Sequence, residues 1–154
     1  DEAFLAGLIH DIGVMVEMQV NREKLIEVIN GLEPDDEGAP SKDMMELELQ
    51  VFGANHEQFG KALCEKWKFP SVFANVTGFH HNPLELGEGS RTMACLVYVA
   101  DRIAGMIEGG YRMDLADLAL DADILDELNI EEDRIQRVAD SLEQAIEETS
   151  LMLS

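Results

Sequence analysis

The sequence predicts an all-α protein, an irregular bundle of eight or nine short helices. Apolar residues recur at helical spacing along nearly the whole chain, and no segment alternates as a half-buried strand would. Capping residues and glycine or proline stops punctuate that pattern at short intervals. With 154 residues and 46% hydrophobic content the chain can bury one core, and no repeat, low-complexity tract or long linker divides it. A single domain spanning 1–154 is expected.

The elements follow in order. Phe4, Leu8, Asp11, Ile12 and Met15 share one face of a first helix. Arg22 to Asn30 reads as a second, stopped by Gly31, and Glu33 to Pro40 as an acidic, solvated connection. Ser41 is placed to cap a helix running to Phe52 and broken by Gly53. Asn55 caps the next, whose inner face carries His56, Phe59, Gly60, Leu63 and Trp67. Pro70 opens another, with Phe73, Val76 and His80 on one stripe. After a loop from Asn82 to Gly89, Ser90 caps a long helix with Ala94, Val97, Tyr98, Asp101, Ala104 and Gly105 inward, ended by Gly109-Gly110. Asp114 to Asn129 reads as two short helical pieces. Asn129 with Glu132 resembles a capping box starting a final helix, whose stripe is Ile135, Val138, Leu142, Ala145 and Ile146.

Composition bounds the function. A formal charge of −21, from 11 Lys+Arg against 32 Asp+Glu, argues against binding nucleic acid or an anionic membrane. Cys64 and Cys95 stand apart within apolar segments and read as buried free thiols. The longest uninterrupted apolar run, Met93 to Ala100, is too short to span a bilayer, and no signal peptide is visible. A cytoplasmic location is expected. The chain opens at Asp1 inside an apolar helical pattern, which reads as a domain whose preceding helices are absent. Apolar surface uncovered in that way would favour a homo-oligomer.

All four histidines fall into one pattern: His10 beside Asp11, His56 alone, and the pair His80-His81, with Asp101 following in an apolar stretch. Imidazole and carboxylate are the usual ligands of Mn, Fe, Zn and Mg. Asp11 and Asp101 lie on apolar helix faces, where an unpaired carboxylate is costly. His10, Asp11, His56, His80, His81 and Asp101 are therefore the candidate metal ligands, for one or two divalent ions, with an empty pocket as the alternative. Each residue also has a plainer reading. His56 fits a hydrogen-bonded core histidine, His80-His81 a polar helix end stabilised by the helix dipole, and Asp101 an ion pair with Arg102.

Four blocks in order, AFLAGLIHDIG, FGANHEQFGKALCEKWKFP, VTGFHHNP and VYVADRIAG, resemble the HD superfamily of metal-dependent phosphohydrolases, and more closely its HDOD branch, the HD-related output domains of bacterial signalling proteins. The spacing of His56, Gly60, Leu63, Trp67 and Pro70 is the most branch-specific element, and the acidic tail from Leu120 to Glu148 resembles the end of such a domain. The resemblance implies an HD-type helical core over 1–113, a C-terminal helical extension over 114–154, and only the C-terminal part of a full HDOD domain. It assigns His10 and Asp11 to the namesake doublet, where catalysis would centre. It assigns Asp101 to the late aspartate, and His56, His80 and His81 to the added ligands of two-metal HD-GYP phosphodiesterases, with Asp11 bridging.

The chain departs from those enzymes. It lacks the histidine upstream of the doublet, has Val14 where they carry lysine, and follows the histidine pair with neither their glutamate nor a Gly-Tyr-Pro motif; Gly110-Tyr111 precedes Arg112. The resemblance thus implies a signalling output module, weakly or non-catalytic, that retains a metal-type pocket and acts through signalling proteins. The alternative is a metal-dependent phosphohydrolase of a nucleotide or other phosphorylated small molecule. It would use a metal-bound hydroxide, with Lys61, Arg91 or Arg102 facing the phosphate.

Overall fold

The computed structural model describes residues 1–35, 38–107 and 112–153, with side chains at all of these except 132 and 153. Among them it is all-α: α1 (Glu2–Ile9), α2 (Ile12–Val20), α3 (Arg22–Gly31), α4 (Met44–Phe52), α5 (His56–Lys66), α6 (Ser71–Phe79), α7 (Thr92–Met106), α8 (Ala122–Leu128) and α9 (Glu132–Leu153), with one 3-10 turn at Pro83–Glu85. The expected Gly109-Gly110 stop and the Gly110-Tyr111 pair lie outside the described residues, as does part of the 33–40 connection; α7 ends at Met106.

Three apolar clusters hold the bundle. Ala6, Cys64, Phe73, Ala74, Val76, Ala94 and Val97 join α1, α5, α6 and α7. Cys95, Tyr98, Val99, Ile103, Ile124, Leu125 and Ile135 seat α8 and α9 against α7. Leu25, Val28, Leu32 and Met44 pair α3 with α4. Fully buried aliphatic residues such as Val28 and Leu32 each contribute about 1.5–3 kcal/mol. Cys64 and Cys95 are buried free thiols, as expected.

The first helix differs from expectation in two ways. It breaks at His10-Asp11, where Asp11 leaves helical geometry (φ −92°, ψ 18°) and starts α2 as its N-cap residue. Its inward side is Ala6, Gly13 and Glu17, whereas Phe4, Leu8 and Met15 are 77%, 69% and 60% exposed. Periodicity identifies which residues are apolar. Here steric room decides which side faces in, because a Cβ on Gly13 would stand 1.8 Å from the backbone oxygen of His56. Gly60, one turn into α5, faces Thr77 of α6 and the Gly13 nitrogen, with a Cβ there 3.1 and 3.4 Å from them. Helices α2, α5 and α6 therefore pack backbone to backbone.

The 19 residues Glu2–Val20 also contain an 18-residue window of mean hydropathy 1.4, long and apolar enough by those measures to cross a membrane. Counting uninterrupted apolar runs overlooks it. The segment breaks at His10-Asp11, 17% of the window is buried, and Glu17 within it is completely buried in the bundle.

Several caps are reassigned. Asn55 forms the expected N-cap, a full capping box with Gln58, and Gly53 closes α4 in the left-handed region at φ 83°. Asp43, not Ser41, caps α4, by accepting from the Glu46 N–H; the Ser41 hydroxyl donates to the Glu33 carbonyl instead. Ser90 does not cap α7, whose N-cap residue is Arg91 with no side-chain bond. Only one helix, α8, capped by Asp121, forms between 114 and 129. Asn129 is its left-handed C-cap at φ 51°, not the start of a capping box. On expected inner faces, Trp67 is 58% exposed, Val138 and Ile146 about half exposed, and Ala104 outward.

The glycine contact yields a stability test. Gly13→Ala is expected to lower unfolding free energy by at least about 2–3 kcal/mol, since a backbone carbonyl cannot yield as a side chain does. Gly7→Ala, at a helical glycine with nothing within 4 Å, should be neutral or stabilising by about 0.5–1 kcal/mol. Equal effects of the two substitutions in urea titrations would refute the close-approach argument.

Candidate metal centre

Four pieces of chain converge on one point. His10 is the C-cap residue of α1 and Asp11 the N-cap of α2; His56 is the first residue of α5; His80 ends α6, followed by His81; Asp101 comes from α7. The structure thus brings all six candidates together. His56 and His80 are 1% exposed and His81 9%.

Three of the four imidazoles, His10, His56 and His80, are anchored through Nδ1, leaving Nε2 toward the common space. His10 Nδ1 bonds the Gly7 carbonyl at 2.7 Å and His80 Nδ1 the Val76 carbonyl at 3.2 Å. His56 Nδ1 lies 2.8 and 3.0 Å from the two Glu48 oxygens, and its backbone N–H also donates to Glu48. An Nδ1–H so held leaves the Nε2 lone pair available, the arrangement that surrounds metal-bound histidines.

The facing atoms have coordination spacing. His10 Nε2 is 3.4 Å from Asp11 Oδ2 and 3.6 Å from Asp101 Oδ1; His80 Nε2 is 3.2 Å from Asp11 Oδ1. His56 Nε2 and His81 Nε2 are 3.0 Å apart, and His81 Nε2 is 3.4 Å from Asp114 Oδ2. Ligands held about 2.1 Å from a common ion are separated by about 3.0–3.4 Å along the edges of an octahedron or tetrahedron. Two groups of potential ligands result, His10–Asp11–His80 and His56–His80–His81–Asp114, which share His80. Asp11 stands between them, with Oδ1 4.0 Å from His56 Nε2.

The residues fit a cation on a further ground. His10 Nε2, Asp11 Oδ1, His80 Nε2, one Asp101 oxygen and both Asp114 oxygens are buried with no hydrogen-bond partner. Leaving one buried polar atom unpaired costs about 1–3 kcal/mol. These atoms gather on one point, and a divalent cation placed among them would satisfy them together.

Protons partly fill that role in the metal-free protein. Burial works against charging His10, but the Asp101 carboxylate 3.6 Å away and the charge of Asp11 outweigh it and raise His10 to about 9. His56 is likewise opposed by burial and raised to about 9 by Glu48, Asp11 and Asp114. Burial would lift Asp11, yet His80, His10 and His56 hold it well below the usual carboxylate range. His80 drops to about 4 through burial and the neighbouring His81 and His56 charges, which exceed the pull of Asp11.

Four residues escape the sequence reading. Glu48 orients His56. Glu57 is buried to accept the His81 backbone N–H at 2.9 Å, fixing the His80-His81 turn, and burial raises its pKa. Glu17 is fully buried and raised to about 8 by burial and by the Glu48 charge, so it carries a proton at neutral pH. Asp114 adds a carboxylate from the segment after α7. Glu17 and Glu48 carried a readable signal, a carboxylate on a helix face otherwise apolar; Asp114, one aspartate among many, carried none.

The basic candidates are engaged elsewhere. Lys61 pairs with Glu65 and Arg91 with Glu127, while the Arg102 guanidinium lies 3.4 Å over the Tyr98 ring and not in an ion pair with Asp101.

Two expectations follow. His10 and His56 bind protons in the folded state that the unfolded chain releases near 6.5. Their stabilisation is complete below that pH and lost as pH rises to about 9; Glu17 acts in the same direction up to about 8. In chelator, the melting temperature should therefore fall between pH 6.5 and 9. With saturating Mn2+ the fall should flatten or reverse, because binding displaces those protons. Parallel pH profiles with and without Mn2+ would count against the site. Separately, Glu48→Gln should keep the fold and weaken Mn2+ binding about 10–100-fold in calorimetry; unchanged affinity would remove Glu48 from its orienting role.

A family model, the HDOD domain, matches residues 1–83, more than half of the 154-residue chain. That span contains His10, Asp11, His56, His80 and His81, and stops short of Asp101 and Asp114. No curated protein and no solved structure matches.

Proposed function

The chain belongs to the HDOD domain family, and on that premise we propose that it is a regulatory output module with a divalent-cation centre at its heart. The ligands are His10, Asp11, His56, His80, His81 and Asp101, and the pocket takes one or two ions of the Mn, Fe, Zn or Mg class. The observation that carries this reading is the set of unpartnered buried nitrogens and oxygens facing one another, with three histidines anchored behind by Nδ1. Output would pass through contacts with other signalling proteins, in the cytoplasm.

The chain's own residues determine what such a centre does. Glu48, Glu57 and the Gly7 and Val76 carbonyls hold the rings at fixed angles, so binding needs little rearrangement. Asp11 faces His10 Nε2 with Oδ2 and His80 Nε2 with Oδ1. Burial excludes bulk water from His56 and His80. A divalent ion bound here supplies Lewis acidity toward a phosphoryl oxygen and acidifies a bound water.

That chemistry sustains a second reading, a metal-dependent phosphohydrolase, and the specific observation in its favour is the pair of ligand groups sharing His80 with Asp11 between them. The engagement of Lys61, Arg91 and Arg102 elsewhere favours the non-catalytic reading.

Metal analysis of the purified chain, joined to melting curves with chelator and with added Mn2+, tests the first reading. One or two equivalents of metal are expected, with stabilisation of about 2.7 kcal/mol when free metal is 100 times Kd. Absence of bound metal and of any thermal shift with Mn2+, Fe2+, Zn2+ or Mg2+ would reject it. Hydrolysis of a generic phosphodiester that vanishes in both His10→Ala and Asp11→Ala would promote the enzyme reading; turnover that survives both would belong to a contaminant.

A further inference from the structure

The segment joining α7 to α8 is pinned at both ends of its described part. Leu115 is 2% exposed, and Leu115 and Leu118 crowd the space beside Gly105 of α7. The Leu115 N–H closes a turn on the Arg112 carbonyl, and the Tyr98 hydroxyl donates to the Ala119 carbonyl. Between these anchors Asp114 turns inward. Its side chain is 2% exposed, Oδ2 is 3.4 Å from His81 Nε2, and neither oxygen has a hydrogen bond. Its neighbours Asp117 and Asp121 face solvent.

A carboxylate with both oxygens buried and unbonded is among the costlier arrangements a loop can adopt. Arg102 does not relieve it, because that guanidinium rests on the Tyr98 ring and donates to the Tyr98 carbonyl. The atom Asp114 faces is a histidine nitrogen that itself faces His56 Nε2 at 3.0 Å. One ligand atom from each of His56, His80, His81 and Asp114 lies within 4.8 Å of the others.

Building on the metal reading of the centre, we propose that Asp114 is a further ligand, closing the His56–His80–His81 side, and that a bound cation thereby fastens segment 112–121 to the bundle. The consequence is regulatory. This segment leads directly into α8, which with α9 packs on α7 in a separate apolar cluster from that of α1, α5 and α6. Occupancy of the centre therefore bears on the placement of α8 and α9 through one side chain. Without the cation, both Asp114 oxygens are buried with no hydrogen bond, which favours release of the segment; with it, the same carboxylate holds the segment down.

The experiment uses the full chain as wild type, Asp114→Asn and the exposed-site control Asp117→Asn. Mn2+ affinity is measured by calorimetry, and hydrogen–deuterium exchange of residues 112–121 is followed with and without Mn2+. Wild type and Asp117→Asn should bind alike, and both should gain protection in 112–121 on adding Mn2+. Asp114→Asn should bind at least about tenfold more weakly and show no such gain. Its metal-free melting temperature should equal or exceed that of wild type, because a buried carboxylate without hydrogen bonds has been removed. Equal Mn2+ affinity in Asp114→Asn and wild type would overturn the assignment and leave the metal reading intact. So would protection in wild type that appears around His10, His56 and His80 but not in 112–121, a readout independent of how the variant folds. A wild-type chain that binds no Mn2+ would overturn the metal reading and this proposal with it.

Discussion

Everything at the centre of this protein depends on how closely α2 can approach α5. Gly13 sets that distance, because its missing side chain is what lets the His56 carbonyl lie against the start of α2. The His10-Asp11 break is two residues before this contact and His56 is the other party to it. The glycine therefore fixes the doublet relative to the first residue of α5. Gly60 repeats the device one turn along and brings α6 in behind, which delivers His80-His81 to the same point. The site is the meeting place of backbones, and its side chains need to reach only short distances.

That compactness creates an electrostatic demand. Asp11, Asp101 and Asp114 bring negative charge together in a protein whose formal charge is already −21. Protons on His10 and His56 answer part of the demand, and a third proton on Glu17 relieves the Glu17–Glu48 pair. They leave the facing nitrogens and oxygens without hydrogen bonds. A divalent cation meets the same demand with better geometry, since one ion accepts several lone pairs at once. Stability and ligand binding are thus two aspects of one charge balance.

Much of this was legible in the sequence. Histidines and aspartates on apolar helix faces mark a polar cluster in a core, and the four motif blocks in order identified the fold family. Asn55 forms the expected cap and closes a full capping box with Gln58, whereas Asn129, read as the start of another, is the left-handed C-cap of α8. Ser41 and Ser90 were misread because a lone hydroxyl is only one claimant, and at α4 Asp43 is better placed. The orientation of α1 was hidden for a deeper reason. Phe4, Leu8 and Met15 form the more apolar stripe, but the bundle accepts the side with the smallest residues. Glu17 and Glu48 obeyed the same buried-carboxylate rule that exposed Asp11, and only their distance in sequence from the histidines concealed them. Asp114 was not legible at all, since its role depends on the path of an irregular segment.

The central question is whether a cation sits among these facing atoms. Anomalous diffraction from crystals of the chain grown with Mn2+ addresses that most directly. The expected result is one or two strong peaks within about 2.0–2.3 Å of ligand atoms of His10, Asp11, His56, His80, His81 and Asp101. Mn2+ found only on the acidic surface, with the histidine nitrogens still facing one another across an ion-free gap, would contradict it.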